Sequence, residues 1–136
     1  MRALVTGGAG FIGSHIVEAL VRRGDRVRVL DNLSMGDRKN LKNVSQKIEF
    51  LKADIRDEKN LHRVLRGIEV VFHQAALRSV PKSVGNPMEY HEVNTTATLQ
   101  LLRMAHENKI RRVVFASSSS VSVSYTHLTL PTKRIV

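Results

Sequence analysis

Val5-Thr6-Gly7-Gly8-Ala9-Gly10-Phe11-Ile12-Gly13 is the stretch from which the rest of the chain is read. The run Ala3 to Thr6 before it is short and apolar, as a buried strand is. After it, Phe11, Ile12, Ile16, Leu20 and Val21 recur at helical spacing until Gly24, which can stop a helix. Glycines at 7, 10 and 13 therefore fall between a strand and a helix. Gly7 permits a tight turn, Gly10 removes a Cβ where a pyrophosphate would approach, and Gly13 lets helix and strand pack closely. The helix start adds unpaired N–H groups and the positive end of its dipole.

The same alternation continues outward. Arg26 to Leu30, Lys47 to Leu51, Glu69 to His73 and Arg112 to Ala116 read as further buried strands. Leu61, Val64 and Leu65 before Gly67 mark a helix with Asp57 at its N-cap, and Leu99, Leu101, Leu102 and Ala105 mark a longer one running from near Pro87 to Asn108. Strands separated by helices must pair in parallel, because each crossover returns the chain to the same end of the sheet. The expected class is α/β, a doubly wound parallel sheet. Arg78 to Asn86, broken by Pro81 and Gly85, reads as a loop at the carboxyl end of the fourth strand, where open sheets bind ligands.

Composition narrows the function classes. The 136 residues suit one domain at most, and 42% hydrophobic with 25% charged residues excludes disordered and collagen-like chains. The absence of cysteine excludes a disulfide scaffold and a Cys-ligated metal site. No apolar run approaches the roughly 18 residues of a membrane span, so a soluble, cytoplasmic protein without membrane partners is expected. The +10 formal charge is scattered over Arg22, Arg23, Arg26, Arg28, Lys39, Lys42, Arg63, Arg66, Arg111 and Arg112 with few aromatics between, which favours solvated turns over a nucleic-acid face. His73 and His91 lack paired acidic ligands at useful spacing, and no metal is expected.

The second strand ends at Asp31, eighteen residues past Gly13. A carboxylate there can accept hydrogen bonds from both hydroxyls of an adenosine ribose and would repel a 2′-phosphate. NAD is favoured as cofactor, while Arg38 and Lys39 keep NADP open.

Thr6 to Gly13, Asp31-Asn32-Leu33-Ser34, Ala53-Asp54-Ile55-Arg56-Asp57, His73-Gln74-Ala75-Ala76 and Ala116-Ser117-Ser118-Ser119-Ser120-Val121 together resemble the extended short-chain dehydrogenases, which have a Rossmann-type fold. Within that group the chain is similar to NAD-dependent nucleotide-sugar epimerases and dehydratases, with the UDP-glucose and UDP-N-acetylglucosamine 4-epimerase branch nearest through Ser79 to Val84. The resemblance implies a nucleotide-sugar substrate, a transient oxidation at the sugar C4, and cofactor contacts from Gly7, Gly10, Phe11, Ile12, Gly13, Asp31 and Asn32. It also implies that Asp54 meets the adenine amino group with Ile55 beside it, and that Ala75, Ala76 and Arg78 lie along the nicotinamide half. A turn or N-cap role for Asp54 is the structural alternative. Asn94 matches a family asparagine, although Ala97 stands where the family usually has glycine. Ser118 matches the catalytic serine, with Ser119 and Ser120 facing substrate. The family often dimerises through the long helix, yet Leu99, Leu101 and Leu102 serve a monomer core equally well.

The family pairs that serine with Tyr-x-x-x-Lys, and this sequence contains none: Tyr125 is followed four residues on by Thr129. Val123 to Thr132 instead resemble, at every position, one reading frame of a transposase sequencing adapter. Lys133 to Ile135 then fit index codons, and Val136 is followed in that frame by a stop. The expected organisation is residues 1–121 as an incomplete NAD-binding domain, truncated after its fifth strand, and 122–136 as a non-native tail. Without Lys133 and Arg134 the balance is 20 basic against 12 acidic residues, or +8. Such a fragment is expected to be inactive, and its parent to be a 4-epimerase, a 4,6-dehydratase being the alternative.

Overall fold

The computed structural model describes residues 1–118. Five short strands form one sheet: β1 (Arg2–Thr6), β2 (Arg26–Asp31), β3 (Ile48–Lys52), β4 (Val70–His73) and β5 (Arg112–Phe115). Their spatial order is β3-β2-β1-β4-β5, and every pairing is parallel, with Leu4 beside Arg28 on one side and Val71 on the other. From β1 the chain builds outward to β3, then crosses back to place β4 on the other flank of β1. The chain reverses its direction of building at β1, which sets the loops after β1 and β4 side by side at the carboxyl edge of the sheet, where open α/β sheets bind ligands.

Alternation along the strands feeds two apolar layers. Ala3, Val5, Val27 and Val29 pack on one side against Val17 and Leu20 of α1 (Phe11–Arg22). Leu4, Leu30 and Val71 face the other way, onto Leu61, Val64 and Leu65 of α2 (Glu58–Leu65) and Leu101 and Met104 further along. Helix ends follow local chemistry. Gly24, at φ +91°, turns the chain out of α1. Asp57 accepts from the amides of Lys59 and Asn60 at the start of α2, as an N-cap should.

One expectation is corrected. Val80–Gly85, within the stretch read as a loop, is a short helix, α3, capped by Ser79 accepting from Lys82 N. Proline belongs in a first helical turn, where its missing N–H has no partner to lose, so Pro81 starts this helix instead of breaking it. The long helix is three pieces: α4 (Pro87–His91), a π turn over Glu92–Thr96, and α5 (Ala97–Glu107). Leu101 lies in the core, whereas Leu99 and Leu102 are exposed.

A buried hydrogen-bonded chain ties β1, β4 and α5 together through His73, which is 1% exposed. Thr6 Oγ1 accepts from the amides of Gln74 and Ala75, so its own hydrogen goes to His73 Nδ1, 2.7 Å away. His73 Nε2–H then donates to Thr98 Oγ1 at 2.9 Å, and Thr98 donates to the Asn94 carbonyl. The imidazole is neutral, and burial pushes its pKa from 6.5 down to about 4. Between those values the unfolded chain binds the extra proton and the folded chain does not, so stability is complete above pH 6.5 and falls as the pH drops toward 4. Denaturant unfolding should show a loss on the order of 2–3 kcal/mol between pH 7 and pH 4.5, at about 1.4 kcal/mol per pH unit. The variant His73→Gln should flatten that slope, and an equally steep slope in the variant would contradict the assignment.

Candidate dinucleotide site

The residues singled out from sequence lie on loops at one edge of the sheet, beyond the carboxyl ends of the five parallel strands. Gly7 to Gly10 follow β1, Asp31 ends β2, Asp54 follows β3, Ala75 to Arg78 follow β4, and Ser118 follows β5. Ser118 is exposed. Ser119 and Ser120, and the tail from 122 to 136, lie outside the described residues.

The glycine loop is built around missing side chains. Gly7 turns at φ +66°, and a Cβ there would stand 2.8 Å from the Ala75 amide, so the loops after β1 and β4 touch backbone to backbone. A Cβ on Gly13 would lie 2.1 Å from the Gly7 carbonyl oxygen, which fixes how closely α1 sits on the turn. Gly10 differs: its Cβ would meet only the Gly7 oxygen, at 3.3 Å, and otherwise open space. That opening is the room a pyrophosphate needs beside the amides of the first turn of α1, whose N-cap, Gly10, offers no side chain to occupy them. The sequence reading missed Gly8 and Gly36. A Cβ on Gly8 would press Val29 at 2.7 Å, and one on Gly36 would press the Ala9 backbone at 2.8 Å.

Asp31 is 8% exposed and carries two fixed hydrogen bonds, one per oxygen: Oδ2 accepts from Ala9 N at 2.9 Å and Oδ1 from Leu33 N at 2.8 Å. Each oxygen keeps a lone pair, which suits two ribose hydroxyls. Leu33 adopts φ +60°, a strained backbone for leucine that the Asp31 bond helps to hold. Arg38 does not turn toward this carboxylate. Its guanidinium lies 4.6 Å over the ring of Phe50 on β3.

Asp54 is more heavily committed. Oδ1 accepts from the amide and Nε of Arg56, and Oδ2 accepts from Arg56 Nη2 at 2.8 Å and Asn32 Nδ2 at 3.1 Å. The Arg56 side chain is the main reason its pKa falls to about 2. The turn role weighed for Asp54 is thus present, and an adenine amino group would have to share these oxygens. Ile55, beside it, is buried in the core layer with Leu61 and Leu65 of α2.

Asn94, in the π turn, closes on the loop after β4 with both ends of its amide. It accepts from Leu77 N at 2.8 Å and donates to Leu77 O at 2.9 Å. The backbone carbonyl of Asn94 accepts from the hydroxyl of Thr98, one turn on, at 2.9 Å. The clamp shapes the segment carrying Ala75, Ala76 and Arg78. No group of His, Asp and Glu able to hold a metal occurs among the described residues, and no helix there is long and apolar enough to cross a membrane.

The chain matches the family described as NAD dependent epimerase/dehydratase over residues 3–133. It is 38% identical over 127 residues to a UDP-glucose 4-epimerase of Klebsiella pneumoniae, covering 89% of this chain and 91% of that one. The UDP-glucose 4-epimerase of Thermus thermophilus, solved in complex with NAD, superposes with a TM-score of 0.80 at 47% identity, covering 87% of this chain and 38% of that one. The dTDP-glucose 4,6-dehydratase DesIV of Streptomyces venezuelae, solved with NAD bound, gives a TM-score of 0.78 at 41% identity, covering 83% and 38%. The chain thus spans little more than a third of either solved protein.

The glycine geometry separates two substitutions of the same size. Gly13→Ala should cost about 2–4 kcal/mol in urea unfolding, because the added methyl meets a backbone oxygen that cannot move aside. Gly10→Ala should cost under about 1 kcal/mol. Equal costs would contradict the packing described.

Proposed function

The chain belongs to the NAD dependent epimerase/dehydratase family, and from that premise we propose that it is the NAD-binding half of a nucleotide-sugar 4-epimerase. The observation that carries the cofactor reading is the Asp31 carboxylate, latched to the glycine loop through Ala9 yet keeping a lone pair on each oxygen. In this reading the amides that follow Gly10 take the pyrophosphate, and Asp31 takes the ribose hydroxyls. Asn32 stands beside them. The Asp54 carboxylate, with Ile55 beside it, lines the adenine, while Ala75, Ala76 and Arg78 border the nicotinamide, their loop held by Asn94. When bound, NAD supplies the acceptor that takes a hydride from the sugar C4 and returns it.

Ser118 is the residue proposed to hydrogen-bond the reacting sugar oxygen, with Ser119 and Ser120 against substrate. A general base of the Tyr-x-x-x-Lys kind would withdraw the hydroxyl proton, and the sequence has none. We therefore infer that this polypeptide binds cofactor without turning over sugar, and, from the adapter reading frame that Val123 to Thr132 match, that residues 1–121 are the native dinucleotide-binding segment and 122–136 are adapter-derived. The parent protein is proposed to be cytoplasmic, to bind neither nucleic acid nor membrane, and to dimerise through the face carrying the exposed Leu99 and Leu102. The similarity to DesIV supports a second reading, a 4,6-dehydratase, which shares this half and differs in the residues around the missing tyrosine.

Calorimetric titration of the chain with NAD tests the first claim. Saturable binding is expected, weakened about 10- to 100-fold by Asp31→Ala, since a hydrogen bond to a charged group is worth about 1.5–3 kcal/mol. No interconversion of UDP-glucose and UDP-galactose is expected from this chain. Absence of NAD binding would overturn the cofactor reading, and turnover by this polypeptide would overturn the division of labour.

A further inference from the structure

We propose that Asn40 is a positioning residue for the glycine loop: through the Ala9 carbonyl it fixes the loop peptide and keeps the Gly13 amide at the start of α1 available to an anion. The proposal rests on the dinucleotide reading above and adds a residue that the reading does not use. The Ala9 peptide is held on both sides. Its N–H goes to Asp31 Oδ2, while its carbonyl accepts from Asp37 N at 3.0 Å and from Asn40 Nδ2 at 2.8 Å. Those two donors fill both lone pairs of the Ala9 oxygen.

The consequence falls on the helix. An α-helix extended by one residue toward its start would give the Ala9 carbonyl to the amide of Gly13, four positions on. Here the first helical bond is Ser14 N to the Gly10 oxygen, at 2.9 Å. Among the described residues no acceptor meets the amides of Phe11, Ile12 or Gly13. Turning the Ala9 carbonyl away thus leaves the Gly13 N–H without a helical acceptor, beside those of Phe11 and Ile12, which the helix start leaves unpaired in any case.

Asn40 is well supported for that task. It lies in a 3-10 turn over Arg38–Leu41 that begins at Asp37, whose side chain accepts from Lys39 N and whose carbonyl accepts from Asn40 N. Leu41, 2% exposed, anchors the turn in the layer that also holds Ala9. Gly36 completes the contact, because any side chain there would push Ala9 out of place. Asn40 Nδ2 gives one of its two hydrogens to the Ala9 carbonyl, and the effect proposed for it on a cofactor acts through that bond to the loop.

The test compares ADP-ribose, which carries the pyrophosphate, with adenosine, which does not, on the wild-type chain, Asn40→Ala and Asn40→Asp. Asp keeps the shape and removes the donor. Both variants should bind ADP-ribose about tenfold or more weakly, with adenosine affinity within about twofold of wild type and circular dichroism unchanged; a single lost hydrogen bond of about 1.4 kcal/mol is a factor of ten. Equal ADP-ribose affinity in folded variants, or a parallel loss for adenosine, would overturn the clamp while leaving the cofactor reading intact. If the wild-type chain binds no ADP-ribose, the cofactor reading falls and the clamp with it. Should the variants not fold, proton exchange in the wild-type chain decides the matter. The Asn40 side-chain amide should be protected and the amides of Phe11, Ile12 and Gly13 should shift on adding ADP-ribose, and an unprotected Asn40 or unshifted amides would overturn the proposal.

Discussion

The close approach of α1 to the turn after β1 is the constraint on which the site depends. Gly13 sits where a Cβ would overlap the Gly7 carbonyl oxygen, and Gly7 sits where one would overlap the backbone of Ala75. Two missing methyl groups therefore bring three segments together: the first strand, the first helix and the loop after β4. With that contact made, the start of α1 lies at the carboxyl edge of the sheet, and its N-terminal partial charge falls where open sheets of this kind bind anions. Loss of the contact would separate the helix start from the loop after β4 without disturbing the hydrogen bonds of the sheet itself.

Around that contact, polar side chains mostly fix backbone rather than form a reactive cluster. Asp31 and Asn40 hold Ala9, Asn94 holds Leu77, Thr6 and His73 join β1 to β4, and Arg56 with Asn32 holds Asp54. No buried side-chain polar atom among the described residues lacks a partner. Such satisfaction stiffens loops that would otherwise open first, which suits a site that must present amides and carboxylate oxygens in a set geometry. Chemistry that moves protons needs residues of another kind, and the sequence contains no Tyr-x-x-x-Lys pair to supply them.

Much of this was legible in the sequence because the signals were local. Val, Ile and Leu runs separated by helical periodicity identify the strands to within a residue or two, and glycines at 7, 10 and 13 between a strand and a helix have few other uses. Asp57 as an N-cap and Gly24 as a helix stop were readable for the same reason. The helix Val80–Gly85 was misread because proline and glycine usually interrupt a pattern, whereas Pro81 here occupies the first helical turn. The clamps by Asn40 and Thr98 join residues 31 and 25 positions from their partners, and an exposed-looking asparagine or threonine gives no periodic signal of such a contact. For Asp54 the sequence offered an adenine contact and a turn, and the fold adds Arg56 as a partner for both oxygens.

The central claim is that this edge of the sheet is shaped for NAD by a carboxylate at the end of β2, with Arg38 drawn away over Phe50. Competitive equilibrium titration with NAD and NADP tests it most directly. Repulsion between Asp31 and a 2′-phosphate predicts that NAD binds at least about tenfold more tightly than NADP. Equal affinity, or a preference for NADP, would contradict the account.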